Sequence, residues 1–248
     1  KCDSPACTVC VYGEERAVHL AALKRVFECL KPVVLFPSEI MRKFWHSRSN
    51  FVTTGSRVVA HATPHFTSEH RSSTLRHAVR IAFVGMAAPH KGWHVFRELA
   101  ESRRHDSRYS FFHFATNSGP STPAIRFVET TANARQPNAM IEALREHDID
   151  IVIQWSLCFE TFSYSTLEAL LAGAFVVARS DSGNAAKLVV EHKTGILLDD
   201  RDKLLELFAQ GSILDDLRQF RARRVPVGVI APNDPSFSII DESEDVHA

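Results

Sequence analysis

The chain has 248 residues, of which 45% are hydrophobic and 23% charged, with Lys plus Arg and Asp plus Glu equal at 29 each. That make-up excludes a disordered chain, and the charge balance excludes the cationic excess that concentrates a whole protein on nucleic acid or an anionic membrane. The longest apolar run, Ala169 to Ala178, is ten residues long and contains Gly173, well short of the roughly 20 that span a bilayer.

The sequence opens on Lys1, Cys2 and Asp3 without a basic and then apolar leader, and its five cysteines are an odd number in a chain too large to need stapling. A reducing compartment, the cytoplasm, is the expectation. Cys2, Cys7 and Cys10 form C-x4-C-x2-C, with Cys29 beyond. That spacing is open to zinc or to part of a plant-type iron–sulfur site, against the plainer reading of three unligated thiols.

In chain order, Ala17 to Leu30 reads as a helix, Val33 to Phe36 as a buried strand, Glu39 to Trp45 as a helix and Arg57 to Ala60 as a short strand. One strand cannot make a sheet, and Val33 to Phe36 has no evident partner. The Ser- and Arg-rich stretch from Thr67 to His77 reads as a linker. From Val79 onward the pattern is regular. Val79 to Val84 is a compact apolar run ending at Gly85, and Trp93, Phe96, Leu99 and Ala100 then recur at helical spacing. Strands at Tyr109 to Ala115, Ile125 to Val128 and Ile149 to Gln154 follow, with a helix at Ala139 to His147 before the last. Beyond them come a helix at Tyr164 to Ala172, a strand at Phe175 to Ala178, a helix at Ala185 to Glu191, a strand at Gly195 to Leu198 and a helix at Asp202 to Gln210. Val225 to Ala248 carries three prolines and an acidic finish, which predicts an irregular tail.

Apolar strands that alternate with helices imply an α/β fold, a doubly wound parallel sheet covered on both faces. Ligands of such sheets bind beyond the carboxyl ends of the strands, so the loops after Val84 and Gln154 are where a site is expected. Asp148 and Asp150 form a D-x-D at the opposite, amino end of a strand, which favours a structural role for them. The thirteen histidines show no metal-ligand spacing on one helix.

The segment CFETFSYSTLEALLAGAFVVA holds Glu160 and Glu168, separated by seven residues, with the second inside the helix that begins near Tyr164. A helix start offers free N–H groups and the positive end of the dipole, here the amides of Phe162 to Ser165, and suits a diphosphate. Carboxylates on either side accept strong hydrogen bonds from sugar hydroxyls. The plainer reading is two acidic residues that complement the dipole. Lys91 follows a buried strand and precedes a helix, where a lysine meets phosphate or is merely solvated, and His90 reads as a polar loop residue.

The segment resembles the E-x7-E region of the retaining GT-B-type glycosyltransferases. Gly85 with His90-Lys91-Gly92 is similar to that family's G-(five residues)-KG loop, Ser180 to Leu197 continues the match, and Phe36-Pro37-Ser38-Glu39 resembles the last strand of its N-terminal domain. The resemblance covers about residues 30 to 210. It implies that Glu160 faces the donor sugar, Glu168 the ribose and Lys91 the diphosphate, with Glu160 and Lys91 catalytic. Gly85, Thr161, Phe162, Ser163, Tyr164 and Ser165 would complete the donor site. Three departures bear on the donor: Met86 stands where many members carry Arg, Ser163 where Gly is frequent and Lys187 where Glu is usual.

The implied reaction transfers a sugar from a nucleoside diphosphate sugar, UDP- or GDP-linked, to a glycan, lipid-linked or other hydroxyl acceptor, with no cofactor and no metal. The expected organisation is a remnant of the acceptor domain over 1–66, the donor-binding domain over 67–225 and the tail over 226–248. On that reading the chain alone is inactive, binds no nucleic acid and self-associates through its first segment. The alternatives are a non-catalytic nucleotide-sugar-binding module and a sugar-nucleotide epimerase, the latter wanting acid and base groups that are not in evidence.

Overall fold

The computed structural model describes residues 15–71, 77–120, 122–133 and 135–232, and the chain divides into two compact units, 1–59 and 60–248. Cys2, Cys7 and Cys10 lie outside the described residues.

In the first unit, helix α1 (Arg16–Leu30) ends on Lys31 in the left-handed region, followed by strand β1 (Val33–Phe36). Ser38 caps helix α2 (Glu39–His46), its hydroxyl accepting from the Met41 N–H at 3.3 Å. Such a cap contributes about 1 kcal/mol. Strand β1 does have a partner: β2 (Gly55–Val58) lies parallel to it, beginning two residues before the predicted strand. Phe27, Phe36, Trp45 and Phe51 gather into an aromatic cluster, with ring centroids 4.7–6.2 Å apart. No residue of α1 is fully buried.

The second unit begins with strand β3 (Ala62–His70) and strand β4 (Val79–Val84), then a short 3-10 turn (Pro89–Lys91) and α3 (Trp93–Ser102). Strands β5 (Tyr109–Ala115) and β6 (Ile125–Glu129), helix α4 (Ala139–Glu146), β7 (Ile151–Gln154) and α5 (Tyr164–Leu171) come next. Strand β8 (Phe175–Arg179), α6 (Asn184–His192), β9 (Gly195–Leu198), α7 (Arg201–Gln210), α8 (Ile213–Arg221) and β10 (Pro226–Pro232) complete it.

Six strands form one parallel sheet in the order β6-β5-β4-β7-β8-β9, the doubly wound architecture expected from the alternation of elements. Alternate residues of each strand face opposite sides. Ala82, Val84, Val152 and Val176 pack with α4 and α5 on one face, and Ile81, Phe83, Ile151, Ile153 and Val177 with α3, α7 and α8 on the other. Ile151, Val152 and Ile153 are completely buried, and each such side chain contributes about 1.5–3 kcal/mol. The order reverses between β4 and β7, so the loops leaving these two neighbours open a crevice at the carboxyl edge.

Three elements differ from the sequence reading. The expected linker from Thr67 begins inside β3, the expected tail from Val225 begins as β10, and α8 lies in a stretch without a predicted helix. Strands β3 and β10 pair antiparallel, from Ala62 against Pro232 to His70 against Pro226. The ribbon is tied to the main body by Asn138, whose side chain brackets Ile230 (Oδ1 from Ile230 N–H at 2.7 Å, Nδ2 to its carbonyl at 3.3 Å). The stretch from Thr67 is ordered by a partner far away in sequence, and neither strand makes a continuous apolar run that announces itself. Among the described residues no helix is long and apolar enough to cross a membrane.

Asp148 and Asp150 lie at the amino end of β7. Asp150 is buried and accepts hydrogen bonds from the Arg221 guanidinium at 2.7 Å and the Arg80 N–H at 3.0 Å, with Arg71 at 3.5 Å. It joins α8, β4 and the end of β3 around one carboxylate. Burial, reinforced by the neighbouring charge of Arg221, pulls the Arg71 pKa down to about 10.

Candidate functional site

The loop after β4 is shaped by two glycines in the left-handed region, Gly85 (φ 102°) and Gly92 (φ 81°). A Cβ on Gly92 would run into the carbonyl of Trp155. This close approach lets the turn at Pro89–Lys91 lie against the loop after β7, where the His90 carbonyl accepts from the Leu157 N–H at 2.8 Å. The His90 backbone thus positions its neighbour Lys91. On the other side, buried His113 donates from Nε2 to the Gly85 carbonyl at 2.9 Å, and burial holds its imidazole below the ordinary pKa.

Glu160 is fixed from both sides by backbone: its N–H donates to the Ser182 carbonyl at 3.1 Å and its carbonyl accepts from the Asn184 N–H at 2.8 Å. Gly183 makes this bridge possible, because its φ of 69° suits glycine and a Cβ there would stand 2.7 Å from the Glu160 carbonyl. The Asn184 amide donates to the Phe162 carbonyl at 2.6 Å and holds the turn into α5. Lys91 meets Glu160 directly, Nζ to Oε1 at 2.8 Å.

Ser163 precedes α5 with φ 65° and ψ 73°, a left-handed residue where glycine is the easy choice. A non-glycine residue there costs about 1–2 kcal/mol. Its hydroxyl pairs with that of Thr166 at 2.8 Å instead of capping the helix. The first intrahelical bond is that of Leu167 N–H to the Ser163 carbonyl, and the amides of Phe162 to Ser165 find no acceptor among the described residues. Those free donors and the helix dipole make a start suited to an anion. One turn into α5, Glu168 is buried, its carboxyl without a hydrogen-bond partner among the described residues, and desolvation pushes that carboxyl up to about 7.

All nine expected site residues, Gly85, Lys91, Glu160, Thr161, Phe162, Ser163, Tyr164, Ser165 and Glu168, line one cleft of about 440 Å³. Met86 lines it too, 64% exposed, and Lys91 is the sole Lys or Arg among the described residues that line it. Lys187 does not line it; it is exposed on α6 and pairs with Glu191 at 3.1 Å. The sequence reading missed His61, Met140 and Gln154. Gln154 carries a signal, a polar residue that ends an apolar strand, and its carbonyl oxygen accepts from the Ser165 hydroxyl at 3.1 Å. His61 carries none. Its ring stacks on Tyr164, with centroids 6.3 Å apart and 12° between planes, and meets Phe162 edge-on. Among the described residues no group of His, Cys, Asp and Glu side chains is placed to hold a metal ion.

No protein-family model matches this chain, and no curated protein does. Solved structures do. HepE from Anabaena, in complex with UDP-glucose, superposes with a TM-score of 0.57 at 13% identity, over 84% of this chain and 61% of that one. TarM gives 0.54 at 13% identity, over 91% and 45%, and a glycosyltransferase from Rickettsia africae ESF-5 gives 0.52 at 13%, over 82% and 62%. The fold is the GT-B, Rossmann-like one of these proteins. The chain spans less than two thirds of the length of each of the three.

Proposed function

We propose that the cleft binds the nucleoside diphosphate sugar of a glycosyltransferase, and that 60–248 is the donor-binding domain. The observation that carries the reading is convergence: the open start of α5, the amine of Lys91 and the buried carboxyls of Glu160 and Glu168 all face one cleft at the reversal of strand order. A diphosphate is matched by the amides and the amine, and the hydroxyls at its two ends are matched by the two carboxyls. HepE, of the same fold, was solved with UDP-glucose.

Charge that builds on the departing diphosphate is met by donors already in place, Lys91 and the amides of Phe162 to Ser165, which need not reorganise during reaction. Glu160 addresses the sugar, Glu168 the ribose. The E-x7-E resemblance supports retention at the anomeric carbon.

Titration calorimetry with UDP, GDP and their glucose and mannose conjugates, with chelator present, tests the reading. One nucleotide series is expected to bind without a divalent ion. Glu168→Ala should weaken UDP and UDP-glucose alike by about 1.5–3 kcal/mol, the worth of hydrogen bonds to a charged group. Strict dependence on a divalent ion, or no binding by any of the ligands, would overturn the assignment.

A further inference from the structure

Among the described residues Lys91 is the sole Lys or Arg lining the cleft, and it is already engaged. We infer that the Lys91–Glu160 pair makes the site bind a nucleoside diphosphate that carries no sugar more weakly than one that does. The inference rests on the donor reading above.

Two anions claim one cation. The Glu160 side chain is 9% exposed and that of Lys91 34% exposed, so the lysine, on its long flexible stem, is the partner free to turn. Glu160 is the less mobile partner, its side chain buried and its backbone pinned to Ser182 on one side and Asn184 on the other. Its other side-chain hydrogen-bond partner among the described residues is the Cys158 thiol, a weak donor 3.9 Å from Oε1. Met86 stands in the same cleft as an uncharged side chain and supplies no second cation.

A diphosphate that draws Lys91 away therefore leaves a buried carboxylate without its counter-ion and adds negative charge beside it. A buried carboxylate stripped of its counter-ion is unfavourable. When the diphosphate bears a sugar, a sugar hydroxyl donates to Glu160 and offsets the loss. Glu160 thus sets specificity for the conjugated nucleotide, and the same contact hastens release of the bare nucleotide once the sugar has gone.

The test is titration of the full chain and its E160Q variant with a bare diphosphate and its sugar conjugate, UDP and UDP-glucose or the GDP pair. The neutral amide no longer holds Lys91, so E160Q should bind the bare diphosphate tighter, by on the order of tenfold, while the advantage of the conjugate shrinks towards none. Tighter binding cannot come from damage to the fold. In a K91M background the E160Q gain should vanish, which locates the effect in the pair. Wild-type protein provides a measurement independent of any variant: it should prefer the conjugate, and equal affinity for both ligands overturns the inference. Binding of both ligands with no gain in E160Q overturns it too and leaves the donor reading standing. No binding of any nucleotide to either protein overturns both.

Discussion

Glu168 is a carboxyl placed where water would hold it better. Its ordinary value of 4.5 rises to about 7 in the folded chain through burial alone. A pKa raised on folding means that the folded state prefers the protonated acid, so stability is greatest below about pH 4.5 and declines as pH rises through about 7. The loss approaches about 3.5 kcal/mol above pH 7, at about 1.4 kcal/mol per pH unit. Glu168→Gln should therefore raise the melting temperature at pH 8 and leave it nearly unchanged at pH 4.5, and an equal shift at both pH values would contradict this account. On the donor reading proposed above, that cost is offset when ribose hydroxyls reach the carboxyl. Glu160, Glu168 and Lys91 were legible in the sequence because carboxylate and amine side chains announce their chemistry. Gly183 and Asn184 were not singled out, because they act through backbone that only the folded loop brings beside Glu160.

The strands and helices that carry the cleft were legible for a different reason. Buried parallel strands such as β4 and β7 are nearly continuous apolar runs, interrupted by Arg80 and ended by Gln154, and the intervening helices repeat their apolar residues every three or four positions. What pairs at long range was not: β3 and β10 contain Pro64, Pro226 and Pro232 and gain order by pairing with each other. Helix α8 escapes although Ile213, Leu217 and Phe220 fall at helical spacing, since acidic and basic residues dilute the run. The contact between the turn at Pro89–Lys91 and the loop after β7 belongs with the long-range features. Gly92 permits it, so Gly92→Ala should be destabilising through both its left-handed φ and its collision with the Trp155 carbonyl. The strained φ alone is worth about 1–3 kcal/mol. Because Lys91 is displaced with the turn, nucleotide affinity should fall as well. Gly55→Ala, where a Cβ meets nothing within 4 Å, should move the melting midpoint by less than about 0.5 kcal/mol in stability. Chemical denaturation and nucleotide titration of both variants check the pair, and equal behaviour would show that the turn tolerates displacement.

The two units differ in how completely each satisfies itself. Unit 60–248 buries both faces of a six-stranded sheet, whereas the described part of 1–59 holds two strands and two helices. Among the described residues strands β1 and β2 pair only with each other, Val33 and Leu35 remain 48% and 40% exposed, and Val18 and Leu30 on α1 are more exposed still. Isolated two-stranded sheets are marginal, and an unpaired apolar edge attracts another. Concentration-dependent self-association is therefore expected in sedimentation of the 248-residue chain. Catalysis makes a harder demand, because a donor site alone does not hold an acceptor hydroxyl against the anomeric carbon. That positioning is worth about 7–11 kcal/mol of barrier, and the E-x7-E resemblance assigns the acceptor to a second sheet-bearing domain that two strands do not make. The chain should bind its donor and hydrolyse it slowly without transferring the sugar, as followed by release of free sugar and nucleotide in the presence of candidate acceptors. Transfer by the purified chain at turnover rates usual for enzymes, about 1 to 1,000 per second, would mean that 1–59 builds an acceptor wall from far less structure than a complete sheet.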